Sequence, residues 1–253
     1  MTRKRRILAV SALKGGVGKT TTAVNLAAAC ARAGRKVLLV DVDPQGCVGT
    51  AMGLPGETGL DAWLSGDAAF EDVVARENRP NLDVVAAGAR LLAAEEQLRE
   101  KGREKRRHRL ERRLAVLEGE GYDVVLLDCS PSASLLLENA LLASHELVLP
   151  AKLDPLSLPA LERTKRFVAA IDEDRAKPLR IDGVLPTFYD LRTRVSDETL
   201  DAIRERFTKI LTPIRINAAL AEAPRTGKTI YELDSTSRGA VDYALLAEDL
   251  GLV

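Results

Sequence analysis

The sequence predicts an α/β fold: a single domain built on a mostly parallel, twisted sheet with helices on both faces. Three observations predict it. Short apolar runs recur along the 253 residues, each followed by a stretch with helical spacing, an alternation that builds parallel strands joined by helical crossovers. The runs are continuously apolar, as strands covered on both faces are. Several end in aspartate or threonine, at the carboxyl edge where such sheets bind ligands.

Taken in order, Arg6 to Ala12 reads as the first strand, and a glycine-rich segment follows it. Ala23 to Ala33 has the Ala and Leu content of a helix, with Gly34 at the C-cap. Lys36 to Val42, Leu82 to Ala86, Tyr122 to Asp128, Glu146 to Pro150 and Ile181 to Thr187 read as further strands with helices between them. Residues 99–113 hold nine Lys/Arg against three Glu, on a segment expected to form a helix reaching Glu118. A solvated helix face and a contact for phosphate backbone or an acidic partner both fit that charge. No internal repeat or low-complexity linker interrupts the chain, so residues 1–253 are read as one domain.

Lys+Arg and Asp+Glu both total 37, giving a formal net charge of zero. Any affinity for nucleic acid must therefore come from a local patch. Cys30, Cys47 and Cys129 form neither a C-x-x-C pair nor a metal-ligand spacing, which points to reduced thiols. The basic start Thr2-Arg3-Lys4-Arg5-Arg6 is followed by an apolar run that ends at Lys14, too short for an export or spanning segment. A cytoplasmic protein is expected.

The chemistry is concentrated in Lys14-Gly15-Gly16-Val17-Gly18-Lys19-Thr20-Thr21. In the nucleotide-binding P-loop, G-x-x-x-x-G-K-[ST], glycines let backbone N–H groups converge on phosphate, the lysine reaches the β/γ-phosphates and the hydroxyl takes Mg²⁺. Lys19 and Thr20 fill those places; the pattern's first glycine falls at Leu13, and a second lysine, Lys14, stands ahead of the loop. Strand, loop and helix follow in the order that aims loop amides and the helix dipole at one anion. A nucleoside triphosphate and Mg²⁺ are thus the expected ligands, with Thr20, Asp41 and Asp128 as candidates for the metal. Asp43, just past the second strand in Asp41-Val42-Asp43-Pro44-Gln45-Gly46, is a candidate to orient the attacking water. Strand-end aspartates that merely cap helices are the alternative.

K-G-G-V-G-K-T-T-T-A-V-N-L-A-A-A, V-L-L-V-D-V-D-P-Q-G, Y-D-V-V-L-L-D-C-S-P-S and the late S-R-G-A-x-x-Y resemble the ParA/Soj chromosome- and plasmid-partition ATPases, within the wider MinD/ParA group of deviant P-loop ATPases. The resemblance covers nearly the whole chain and implies a P-loop NTPase fold. It also implies an ATP-driven switch: a sandwich homodimer in ATP, nonspecific binding of double-stranded DNA by that dimer, association with the nucleoid, and hydrolysis stimulated by a ParB-type partner. Carried over by residue, Lys14 would reach the partner subunit's phosphates. Lys19, Thr20 and the backbone of Gly15, Gly16, Val17 and Gly18 would hold phosphate and Mg²⁺, and Thr21 would touch the α-phosphate. Thr187 is the candidate for the adenine. Arg192 matches the family's DNA-contacting arginine, with Arg194, Arg215, Arg225 and Lys228 as candidate additions to that patch.

The chain departs from the family pattern at several places. Ala219 stands where an arginine is usual, Ser130 replaces the first proline of D-C-P-P, and Lys152-Leu153-Asp154-Pro155 replaces a glutamine-containing segment. The alternatives are a MinD-like positioning ATPase and a nucleotide-gated binding module with negligible turnover. The acidic ending Ala244 to Val253 lacks a basic amphipathic membrane helix, so no membrane partner is expected. Paired cluster-ligating cysteines and a tyrosine-rich tail are also missing, which argues against a nitrogenase-reductase or tyrosine-kinase reading. With no helix-turn-helix extension ahead of the P-loop, operator binding is not expected either.

Overall fold

A computed structural model describes residues 5–55, 59–173, 175, 177–190 and 194–253. Seven strands form one sheet: β1 (Arg6–Val10), β2 (Val37–Asp41), β3 (Val74–Arg79), β4 (Leu82–Val85), β5 (Val124–Asp128), β6 (Glu146–Lys152) and β7 (Arg180–Thr187). Their spatial order is β3-β4-β2-β5-β1-β6-β7, and every pairing is parallel except β3 with β4. The expected strands are all present. The edge strand β3 is the one the sequence reading missed. Its residues, Val-Ala-Arg-Glu-Asn-Arg, are polar and half-exposed, and its register shifts between Ala75 and Arg79, so neither a continuous apolar run nor clean alternation marks it.

Helices α1 (Lys19–Arg32), α2 (Cys47–Ala51), α3 (Leu60–Ser65), α4 (Phe70–Val73), α5 (Leu91–Arg99), α6 (Arg103–Arg107), α7 (Arg109–Ala115), α8 (Leu135–Ala143), α9 (Ser157–Asp172), α10 (Arg194–Arg204), α11 (Ala218–Glu222), α12 (Ile230–Asp234) and α13 (Arg238–Asp249) cover both faces. Successive strand residues point to opposite sides, so each buried strand feeds two cores. Leu38 and Val40 of β2 pack in the core that includes Leu136 of α8 and Leu161 of α9, whereas Val37 and Leu39 pack with Leu26 of α1 and Leu246 of α13. That double burial explains the continuously apolar runs. The late S-R-G-A-x-x-Y motif serves the second core. Ser237 caps α13 by accepting the Ala240 N–H at 3.3 Å, and a Cβ on Gly239 would lie 2.8 Å from the Leu220 side chain. The Tyr243 hydroxyl lies 3.3 Å from that of Thr22 on α1.

The basic segment differs from the single helix expected to reach Glu118. It is broken into the end of α5, α6, α7 and a 3₁₀ turn at Glu118–Glu120. Buried Asn139 of α8 accounts for the break between α6 and α7: its amide donates to the Arg106 carbonyl at 2.9 Å and its oxygen accepts the Leu110 N–H at 3.1 Å. One side chain thereby satisfies backbone groups that a break would otherwise leave orphaned. Part of the positive charge is spent within the molecule. Arg99 pairs with Glu95, Arg107 with Glu138 and Arg112 with Glu104, while Arg109 donates to the Leu64 and Ser65 carbonyls at the C-terminus of α3.

The topology also fixes where a ligand can sit. β1 leads into α1 on one face and neighbouring β6 leads into α9 on the other, so the chain turns opposite ways from adjacent strands. At such a switch point the crevice beyond the strand ends stays open. We expect Asn139→Ala to lower stability by about 2–3 kcal/mol, the cost of leaving buried polar backbone unpaired. Urea denaturation checks this, and an unchanged midpoint would mean the helix break does not depend on that amide.

Candidate functional site

The glycine-rich loop occupies this switch point. Gly18, the residue before α1, has φ 84°, a left-handed conformation that a side chain would strain; it turns the chain so that the first amides of α1 face the crevice. Both ends of the loop are braced. The Leu13 N–H donates to Thr164 Oγ1 of α9 at 3.0 Å, and Thr187 Oγ1 at the end of β7 donates to the Val17 carbonyl at 2.9 Å. Lys19 is buried, and its Nζ donates to the Lys14 carbonyl at 3.2 Å. Burial lowers its pKa, while Asp128 and Asp43 pull it back up.

Three aspartates meet this loop in different roles. Fully buried Asp41 at the end of β2 accepts the Asp43 N–H at 3.1 Å and the Val48 N–H at 2.9 Å, so it shapes the loop that carries Asp43. Asp43 in turn accepts the Gln45 N–H at 3.0 Å. Asp128, on β5 beside β1, is fully buried, and among the described residues neither of its carboxylate oxygens has a hydrogen-bond partner. Burial and then the Asp41 charge push it well above the ordinary carboxylate range, which the nearby Thr20 hydroxyl offsets only in part. Asp41 is pushed up to about 7, again chiefly by burial. Two buried carboxylate oxygens without a hydrogen-bond partner, near a helix-terminal threonine hydroxyl, are oxygen donors of the kind that Mg²⁺ takes beside phosphate and water, so the residues present fit Mg²⁺. Of the two strand-end metal candidates, Asp128 has two oxygens without a hydrogen-bond partner among the described residues, whereas each oxygen of Asp41 accepts one N–H of its own loop.

A cavity of about 490 Å³ opens beside the loop, lined by Gly18, Thr21, Phe188, Ile214, Asn217 and Tyr243 among others. Thr187, the residue expected at the base, forms part of this wall, but its hydroxyl is committed to the Val17 carbonyl. The sequence reading missed Phe188 and Asn217. Phe188 has φ 51° and is 45% exposed, an aromatic held in a strained conformation at the cavity mouth. Its place directly after Thr187 in T-F-Y-D was the only signal.

A sequence profile of the AAA domain family matches residues 5–181. The chain is 40% identical to the chromosome-partitioning ATPase Soj of Thermus thermophilus, over 98% of this chain and 96% of that protein. It is 37% identical to the sporulation initiation inhibitor protein Soj of Bacillus subtilis, over 97% and 98% respectively. The chain belongs to the ParA/Soj family of partitioning ATPases. A crystal structure named cobyrinic acid a,c-diamide synthase from Mycobacterium smegmatis, with bound ADP and magnesium, superposes with a TM-score of 0.84 at 31% identity, covering 98% of this chain and 94% of that one.

The candidate DNA residues of this ParA/Soj protein divide by environment. Arg192 lies outside the described residues. Arg194 is exposed at the start of α10 and pairs with Glu198 at 2.8 Å. Arg225 is exposed, 3.9 Å from Glu222, and Lys228 is exposed on the same segment. Arg215 differs from the solvent-facing cation expected: its guanidinium grips buried Asp242 of α13 with contacts of 2.5–3.1 Å. Such a fork-on-carboxylate pair ties the Ile214–Asn217 strip, and so one wall of the cavity, to α13. Among the described residues, no helix is long and apolar enough to cross a membrane.

The raised carboxylates imply a pH dependence. An acid whose folded pKa lies above its unfolded value makes the native state hold extra protons, so its contribution to stability falls as pH rises above the ordinary carboxylate range towards the raised folded value. We therefore expect Asp128→Asn to melt several degrees above the wild type at pH 8 without nucleotide or metal, with the gain shrinking towards pH 4. Scanning calorimetry at both pH values checks it; a gain independent of pH would detach the effect from Asp128 ionisation.

Proposed function

We propose that this protein is an ATP-driven DNA-partition switch: an Mg²⁺-dependent ATPase whose ATP-bound sandwich homodimer binds double-stranded DNA without sequence preference and is released on hydrolysis stimulated by a ParB-type partner. It acts in the cytoplasm, on the nucleoid. The observation that carries the ATPase reading is Asp128, fully buried with both oxygens bare, beside a P-loop whose lysine is itself buried. Full-length likeness to Soj supports the partition reading.

In this reading the loop amides, Lys19 and the α1 N-terminus hold the phosphates, Thr21 sits at the α-phosphate, and Thr20 with Asp128 holds Mg²⁺. Bound Mg²⁺ supplies neutralisation of the phosphate charge. Asp41 fixes the Asp43 loop, and Asp43 orients the attacking water. The cavity beside Gly18 takes the base, with Phe188 as its aromatic wall. Lys14 reaches across to the partner subunit's phosphates, where an ammonium in a dry seam stabilises charge far more than in water. Exposed Leu156, Phe188 and Ile216 near the loop mouth give the seam apolar surface to bury. Arg194, Arg225 and Lys228, with Arg192, supply phosphate contacts that dimerisation doubles, and such contacts weaken steeply with salt.

Two measurements test the proposal. Asp43→Ala should lower phosphate release by about 10²-fold or more, the range for a lost proton-transfer or water-positioning group; an unchanged rate would favour the nucleotide-gated binding module. Lys14→Ala should still bind ATP yet stay monomeric in light scattering and lose ATP-dependent DNA retention. Arg192→Ala should dimerise normally but release DNA at lower salt. Full DNA retention in both variants would remove the partition assignment.

A further inference from the structure

The loop after β6 lies beside the P-loop because β1 and β6 are neighbours, and it places an aspartate against the front lysine. Lys14 Nζ donates to Asp154 Oδ1 at 2.5 Å and to Ser157 Oγ at 3.3 Å. The Asp154 carboxylate is oriented independently of the lysine: Oδ1 also accepts the Leu156 N–H at 3.0 Å. Burial alone would raise the Asp154 pKa, but the hydrogen bonds from Lys14 and Leu156 hold it below the usual carboxylate value. The backbone on either side of the lysine is braced, with the Leu13 N–H on Thr164 and the Leu13 carbonyl 3.4 Å from the Arg163 guanidinium. Redirecting Lys14 therefore requires only rotation of a flexible four-carbon stem.

We propose that Asp154 is a positioning residue that holds Lys14 inside its own subunit, so that two subunits pair only when each Lys14 leaves Asp154 for the phosphates across the seam. This rests on the proposed role of Lys14 in the dimer. One ammonium cannot serve both places, so the intrasubunit ion pair competes directly with assembly. A triphosphate across the seam, with its terminal charge, outcompetes a single carboxylate. A diphosphate presents less charge there and leaves Lys14 at home. The contact thus sets a threshold that keeps the chain monomeric until ATP is bound on both sides, through a population shift governed by differential interaction in the two states.

The strength of the effect follows from exposure. The side chains of Lys14 and Asp154 are 20% and 30% exposed, and a partly exposed ion pair is worth a factor of at most about five. Two such pairs break per dimer, so releasing both should tighten dimerisation by up to about 25-fold. Sedimentation velocity of the full chain with Mg²⁺ and a non-hydrolysable ATP analogue reads this directly for wild type, Asp154→Asn, Asp154→Glu and Lys14→Ala. Asparagine keeps the acceptor for the Leu156 N–H, so fold and nucleotide affinity of the monomer should be preserved. Asp154→Asn should then dimerise at a lower concentration, by up to about 25-fold, remain monomeric in ADP, and show less salt dependence of assembly; Asp154→Glu should restore the wild-type threshold. If Asp154→Asn pairs no more tightly than wild type while Lys14→Ala stays monomeric, the latch is overturned and the dimer role of Lys14 stands. If Lys14→Ala dimerises like wild type, that role fails and the latch fails with it.

Discussion

The site is organised around a carboxyl group that the fold has buried away from water and from hydrogen-bond partners. Asp128 closes a strand flanked by β1 and β2, where water does not reach it, and its two oxygens have no hydrogen bond among the described residues. A lone buried carboxylate is costly, and proteins keep one where a cation or proton is to be exchanged. Lys19, buried beside it, does not remove the conflict: burial lowers the lysine's own pKa while Asp128 and Asp43 raise it. Acid and base are thus both held away from their ordinary states, and a ligand bringing metal and phosphate charge relieves both. The apolar packing that makes the sheet stable is therefore also what gives the site its affinity for opposite charge.

The loop opposite Asp128 has to be rigid for this to work. Its bracing comes from outside the motif, through Thr164 of α9 at Leu13 and Thr187 of β7 at Val17. Both residues follow β6 along the chain, whereas the loop follows β1. The two halves of the fold are consequently joined at the P-loop itself, and a shift of α9 or of the β7 edge is felt by the phosphate cradle. Arg215 extends the same coupling, because its grip on Asp242 links the cavity wall to α13, which Tyr243 and Thr22 in turn join to α1.

Much of this was legible in the sequence because it follows from local pattern. Continuous apolar runs ending in Asp41, Asp128 and Thr187 gave the buried strands and their carboxyl edge, and the order of strand, glycine-rich loop and helix put Gly18-Lys19-Thr20 at that edge. The parts that escaped depend on contacts between distant segments. Asn139 breaks the basic helix from another helix altogether, so no pattern within residues 99–113 encodes it. Arg215 reads as a surface cation until Asp242 is brought beside it, and the hold of Asp41 on the Asp43 loop shows only once that loop folds back onto both its oxygens. Strand β3 was hidden for a different reason: an edge strand half open to solvent needs no apolar run.

The fate of the positive charge has a consequence for how a chain of zero net charge can engage DNA. Four cations of the densest basic stretch, Arg99, Arg107, Arg109 and Arg112, are committed to acidic residues or to the carboxyl end of α3, and Arg215 is committed to Asp242. What remains near the nucleotide edge is a short set of exposed cations, and Ala219 stands where the family pattern has an arginine. Phosphate contacts add in the exponent of the salt dependence, so a patch of this size gains disproportionately when a second copy is placed beside it. In the proposed switch, the sparse charge of one subunit is thus a requirement rather than a weakness. A chain that bound DNA strongly as a monomer would stay bound after hydrolysis, and nucleotide state would no longer decide where it resides.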